Sequence, residues 1–102
     1  MSSDKLLSFL GLCRRAGKMT IGNDAVVEAM NNGESCLILL ADDISERTKR
    51  NITEIAQKSN IRVIKLPYDK QQISNSLGKL TAVISINDAG FAKKITELTG
   101  NE

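Results

Sequence analysis

The sequence predicts a three-layer α/β/α sandwich around a central mixed sheet of about four strands. Three observations predict it. Short apolar runs alternate along the chain with amphipathic stretches of about ten to fifteen residues, the order expected when helices connect strands and pack on both faces of a sheet. One run, residues 36–41 (Cys-Leu-Ile-Leu-Leu-Ala), is apolar throughout and bounded by polar residues. That is how a strand buried on both faces reads, and it is expected at the sheet centre among parallel neighbours. No repeat, low-complexity tract or linker breaks the alternation, and 102 residues suffice for one core but not for two, so residues 1–102 are expected to form a single domain.

Residues 4–16 place Leu6, Phe9, Leu10 and Cys13 at helical spacing, with Ser3 as a cap and Gly17 as a stop. Met19, Thr20 and Ile21 make a short strand. A second helix runs from Gly22 or Asn23 to Asn32, turns Val26, Val27 and Met30 to one side, and ends at Gly33. After the apolar run, residues 45–59 form a third helix aligned with Ile44, Thr48, Ile52, Ile55 and Ala56. Residues 62–66 are the next strand, closed by Pro67. Asp69 with Gln72 three positions on is the pattern of a capping box, opening a helix that reaches Leu77 and stops at Gly78. Residues 81–86 make the last strand, and a helix from Asn87 or Asp88 carries Phe91, Ile95 and Leu98 as far as Gly100.

Composition narrows the function. Hydrophobic residues make up 41% and charged residues 25%, ordinary values for a globular protein. No apolar run approaches the roughly 20 residues of a membrane helix. Residues 1–5 carry no basic segment leading into an apolar stretch, so no signal peptide and no membrane partner are expected, and the expected address is cytoplasmic. Cys13 and Cys36 with no histidine are too few soft ligands for a structural zinc site; both cysteines sit in apolar patterns and read as small buried hydrophobes. The missing histidine removes the commonest general base, which argues against an enzyme. Neither G-x-x-x-x-G-K nor G-x-G-x-x-G occurs, and no cofactor is expected. The net charge of +2 allows a local nucleic-acid patch without demanding one.

Candidate chemistry then concentrates in a few places. Asp42 and Asp43 end the apolar strand, where carboxylates can hold a metal or form an acid/base pair. No third ligand stands nearby in sequence, and the favoured reading is that Asp43 or Ser45 caps the third helix. Gly22, Asn23 and Asp24 open the second helix, whose free N–H groups and positive dipole end suit an RNA contact as well as a plain cap. Asp24, Ala25 and Glu28 share one side of its first turns. Arg14, Arg15 and Lys18 precede that helix, and Lys79 follows Gly78. If the strands beginning near Lys18 and Thr81 end at one sheet edge, these cations flank a single RNA backbone groove; otherwise they are solvated, with Arg14 and Arg15 favouring the end of their own helix. Lys49-Arg50 and Lys93-Lys94 read as solvent faces. With only Phe9, Tyr68 and Phe91, no stacking platform for single strands is expected, so folded RNA is the better match.

A resemblance coincides with these positions. The stretch Leu10-Gly11-Leu12-Cys13-Arg14-Arg15-Ala16-Gly17-Lys18 is similar to the start of the bacterial YlxQ branch of the ribosomal protein L7Ae superfamily. The likeness continues through Leu40-Ala41-Asp42-Asp43-Ile44-Ser45 and Thr48, resumes at Leu77-Gly78-Lys79, and closes with Asp88-Ala89-Gly90-Phe91-Ala92-Lys93-Lys94. It implies an L30e-like sandwich, and RNA binding through the start of the second helix and the loop before the last strand, which together grip a kink-turn. The family's helix-start motif, G-x-N-E-x-x-K, reads the tandem sheared G·A pairs of that RNA. Set on Gly22, it places Asp24 at the Asn position, Ala25 at the Glu position and Glu28 at the Lys position; shifted by one residue, it matches Asn23 and Asp24 but puts Val27 where the lysine belongs. Either alignment loses the basic residue, and Ser74 stands where the family has an earlier glycine.

The resulting expectation is a monomeric, non-catalytic, ribosome- or translation-associated protein that binds structured RNA of kink-turn type, rRNA included. Its contacts are expected from Arg14, Arg15, Lys18, Gly22, Asn23, Asp24, Lys79, Leu80 and Thr81. The rival expectation, resting on Ala25 and Glu28, is a protein–protein adaptor that keeps the fold and has lost kink-turn affinity. A metal-assisted hydrolase using Asp42 and Asp43 ranks third.

Overall fold

The computed structural model describes residues 2–100, with side chains from Lys5 onward. Five helices and four strands follow one another in these residues: α1 (Ser2–Arg15), β1 (Met19–Ile21), α2 (Asn23–Asn31), β2 (Leu37–Leu40), α3 (Glu46–Lys58), β3 (Val63–Lys65), α4 (Lys70–Leu77), β4 (Val83–Ile86) and α5 (Ala89–Thr99). The expected order of elements is the observed one. The strands are shorter than the apolar runs, because Thr81, Ala82 and Leu66 belong to connections.

The strands form one mixed sheet in the order β1-β4-β2-β3. All four residues of β2 are buried, as the unbroken apolar run requires. Parallel surroundings hold on one side only: β3 runs parallel to β2, whereas β4 runs antiparallel to both β2 and β1. Helices α2 and α3 carry the chain back along the sheet, so β2 runs in the direction of β1 and β3 in that of β2; the connection through α4 returns to the edge where β3 ends, so β4 leaves it in the opposite sense.

Side-chain alternation along β2 divides the core in two. Leu37 and Leu39 join Leu10, Cys13, Ile73, Leu77, Ala92 and Ile95 from α1, α4 and α5 on one face. Ile38 and Leu40 join Val26, Met30, Ile52 and Ala56 from α2 and α3 on the other. The α/β/α sandwich follows from that division.

The helix starts are capped by the residue types suited to the task. The Ser45 side chain accepts from the Thr48 N–H at 3.2 Å. Asp69 and Gln72 form the full capping box, at 2.8 and 2.9 Å. The Asp88 carboxylate accepts from the Phe91 N–H at 2.9 Å, which starts α5 at Ala89. Ser45 is thus the one of the two α3 cap candidates that caps it, and the other, Asp43, serves α4: it accepts from the Lys70 N–H at 3.0 Å. The Ser3 cap lies outside the described side chains, and α1 already includes Ser2.

The cysteines differ. Cys13 is buried under α1, but Cys36 is exposed, one residue ahead of β2, and donates its N–H to the Ile86 carbonyl at 2.7 Å. The expectation of two buried cysteines is corrected at Cys36, where the apolar pattern outruns the strand by a residue. Burial pushes the Cys13 thiol up from 9.0 to about 11, and the Asp88 carboxylate adds to the shift. Cys13 therefore stabilises the fold fully below its ordinary value, and that contribution fades as pH rises through about 11. Native protein treated with iodoacetamide at pH 8 is expected to alkylate at Cys36 and to spare Cys13 until it unfolds, which mass spectrometry reads directly.

Candidate nucleic-acid interface

One edge of the sheet gathers the functional candidates. The carboxyl ends of β1, β2 and β3 meet the start of β4 there, since Ile21 pairs with Ile84, Leu40 with Val83 and Leu40 with Lys65. Helices α2, α3 and α4 all begin at this edge, so three positive dipole ends point toward it.

The α2 start and the first residue of β4 touch at the backbone. Gly22 adopts φ 102° and ψ 146°, a conformation open to glycine, and its N–H donates to the Val83 carbonyl at 3.3 Å. From that corner the chain enters α2, with the Val26 N–H closing on the Gly22 carbonyl at 2.9 Å. No side chain caps this helix start. Asn23 and Asp24 stand exposed on its first turn, without hydrogen-bond or ion-pair partners among the described residues. Across from them lies the loop of residues 78–82. Lys79 is exposed, and Leu80 is 62% exposed, unusual for a large apolar side chain.

Of the nine residues expected to contact RNA, Gly22, Asn23 and Asp24 lie at the α2 start, and Lys79 and Leu80 lie on the loop that leads into its partner Val83. Arg14 reaches the base of the same loop, donating to the Leu77 carbonyl at the end of α4. Thr81 lies inside the loop rather than on it: the side chain is buried, and its hydroxyl donates to the Val83 carbonyl at 2.8 Å and accepts from the Val83 N–H at 3.2 Å. Its role is to hold the turn that presents Leu80. Arg15 points the other way, into the groove between α1 and α5. Lys18 stands at the far edge of the sheet, because β1 and β4 are antiparallel and Met19 pairs with Ile86. Four extended residues, about 13 Å at ~3.3 Å each, separate Lys18 from Gly22. The condition that the strands near Lys18 and Thr81 share an edge therefore fails in its simple form. Lys18 joins the far-edge polar group, where the Ser85 hydroxyl meets Ser35 and Asn87, and Asn87 meets Thr20.

The structure adds residues whose local sequence marks only a solvent face. A groove of about 460 Å³ opens between the α2 start and the first turns of α3, lined by Asn23, Arg47, Thr48, Arg50, Asn51 and Glu54. Arg47 and Arg50 are exposed and, among the described residues, without ion-pair partners. Their i, i+3 spacing puts them on one side of a helix; that this side faces Asn23 is legible only once α2 and α3 lie together. Positive charge thus stands opposite Asn23, where Glu28 and Val27 supply none.

The acidic pair is engaged elsewhere. Asp42 lies 3.5 Å from the Lys65 ammonium in a solvent-exposed ion pair, and Asp43 holds the start of α4. Among the described residues no three His, Cys, Asp or Glu side chains cluster as metal ligands, and no helix is long and apolar enough to cross a membrane.

Comparison with known proteins identifies the family. Residues 4–96 match the family model of the ribosomal protein L7Ae/L30e/S12e/Gadd45 family. The chain is 34% identical to the RNA-binding protein YlxQ of Bacillus subtilis (strain 168) over 96% of its own length and 98% of the relative's. It is 27% identical to the large ribosomal subunit protein eL30 of Saccharomyces cerevisiae, with 95% and 94% covered. A solved structure from Bacillus halodurans C, of a protein of unknown function, superposes with a TM-score of 0.88 at 33% identity, covering 94% of this chain and 97% of that one. The YlxQ and eL30 relatives are named as RNA-binding and ribosomal proteins, in line with the non-catalytic reading.

Proposed function

The chain belongs to the ribosomal protein L7Ae/L30e/S12e/Gadd45 family, and on that premise we propose that it binds structured RNA of kink-turn type as a non-catalytic, translation-associated protein. One observation carries the proposal: the Gly22–Val83 contact sets an uncapped helix start beside an exposed apolar loop, and unpaired cations stand around the junction.

Each part has a task. Free backbone N–H groups at the α2 start, with the Asn23 amide and the Asp24 carboxylate, meet base edges; a carboxylate accepts from base amino and imino groups. Leu80 packs on an unstacked base or sugar. Lys79, Arg47 and Arg50 meet phosphates on either side, and Arg14 steadies the loop from beneath. Asp24 and Glu28 repel backbone phosphates, so affinity depends on those three cations more heavily than it would with a lysine on α2.

Titrating the protein with a kink-turn RNA and with a straight duplex of equal length, at two salt concentrations, tests this. The kink-turn is expected to bind more tightly, and its affinity to fall steeply with salt. An Arg47→Gln/Arg50→Gln/Lys79→Gln variant is expected to lower the slope of log K against log salt by about 2, from ~0.7–0.9 per phosphate contact. Failure of the parent protein to bind the kink-turn at low salt would leave the adaptor reading standing, and indifference to salt would remove the phosphate contacts.

A further inference from the structure

We propose that the groove between α1 and α5 is a second docking site, shaped for an acidic amphipathic helix of a partner protein. Apart from Leu80, the only exposed large hydrophobic among the described residues is Leu12, 47% exposed on the outer face of α1. Leu80 sits on the RNA-facing loop. Leu12 lies in the layer formed by α1, α4 and α5, on the far side of the sheet from α2 and α3, and the proposed RNA contact gives it no role.

Leu12 is not isolated. Lys5, Phe9, Leu12 and Arg15 form a stripe along α1, and Lys94 and Leu98 face it from α5, enclosing a groove of about 320 Å³. The floor is Phe9, Leu12 and Leu98, and the rim is Lys5, Arg15 and Lys94. Phe9 and Phe91, with ring centroids 5.2 Å apart, close the floor toward an adjoining hollow lined by Leu12 and the half-buried Phe91. The stripe from Lys5 to Arg15 covers eleven residues, about 15 Å at a rise of ~1.5 Å each, or close to three helical turns.

Charge and polarity choose the occupant. Three cations frame the groove, and among the described residues lining it and the adjoining hollow the one carboxylate, Asp88, accepts from the Phe91 N–H at the α5 cap. A nucleic acid would find phosphate partners here but would have to cover an apolar floor with charged backbone. A helix with leucine-type anchors at i, i+3 or i+4, and i+7, flanked by Asp or Glu, satisfies both the floor and the rim. The concentration of like charge also disfavours a second copy of this chain, whose own groove carries the same sign. This separates Arg15 from Arg14: adjacent in sequence, they meet different neighbouring helices, α5 and α4.

The probe is a fluorescein-labelled helical peptide with leucines on one face and glutamates on both flanks, read by anisotropy against a twin with lysines in place of glutamates. The glutamate peptide is expected to bind at least tenfold more tightly than its twin, and Leu12→Ser and Lys94→Glu each to weaken it about five- to tenfold, as removal of an anchor or a rim charge does. Both variants change exposed side chains, and each is expected to titrate with kink-turn RNA as the parent does. The proposal is overturned if the twin binds equally well, if no peptide binds at low salt, or if duplex RNA displaces the peptide. A parent dimer that Leu12→Ser dissociates would overturn it too, by assigning the face to self-association. RNA binding can fail without touching this result, and the reverse.

Discussion

Gly22→Ala is expected to lower both stability and kink-turn affinity, the affinity by tenfold or more. No atom lies within 4 Å of where a Cβ would sit, so the penalty is conformational rather than steric. At φ 102° and ψ 146° an L-residue is strained by about 1–3 kcal/mol. In a domain of this size each kcal/mol is worth about 4–8 °C in Tm. The chain relieves the strain by turning the peptide, which breaks the Gly22 N–H bond to Val83 and pulls the α2 start away from Leu80. Removing one hydrogen-bonded base from that junction weakens binding by about 1–3 kcal/mol. Gly17→Ala supplies the control: Gly17 has φ 74° with open space around it, but it lies in the turn between α1 and β1, at the opposite sheet edge. It is expected to cost stability and to leave the affinity of the folded protein unchanged.

The second large effect is on the scaffold. Leu39→Ala is expected to destabilise the protein by about 2.5–5 kcal/mol, a large share of the ~5–15 kcal/mol that holds an ordinary domain together. Leu39 is fully buried in β2, paired beside Ile64 on one strand and Ile84 on the other, under α1 and α4. Neighbours on three sides cannot close the space it leaves. Urea unfolding is expected to show a lower midpoint with an unchanged slope. Val63→Ala, at a half-buried position on the edge strand β3, is expected to cost well under half as much.

How far the sequence foretells this molecule depends on whether the cause is local. The continuous run at Leu37–Leu40 marks the inner strand, the Asp69–Gln72 spacing marks a capping box, and glycines at positions 17, 33, 78 and 100 mark helix ends, each through chemistry within a few residues. Strand order and direction are not local. That β4 inserts between β1 and β2, antiparallel to both, is marked by no local signal, and it sends Lys18 to one edge and Lys79 to the other.

The candidate site divides in the same way. Gly22, Asn23 and Asp24 are legible because a strand, a glycine and a helix start adjoin in sequence. Arg14 and Arg15 look alike in sequence, yet the ~100° turn between successive helical residues sends one to α4 and the other to α5. Thr81 has the look of a contact residue because nothing in its neighbours reveals that its hydroxyl closes on Val83. Arg47 and Arg50 gain meaning only from the face of α2 across the groove.

RNA is expected to sit where the α2 start meets the α4–β4 loop, and the direct measurement is an amide NMR map of the labelled protein titrated with a kink-turn RNA. The largest saturable shifts are expected at residues 22–25 and 78–82, with a second group at 47–51. Shifts centred on Lys18 and Asn87 at the opposite edge, or along the α1–α5 groove, would contradict that placement.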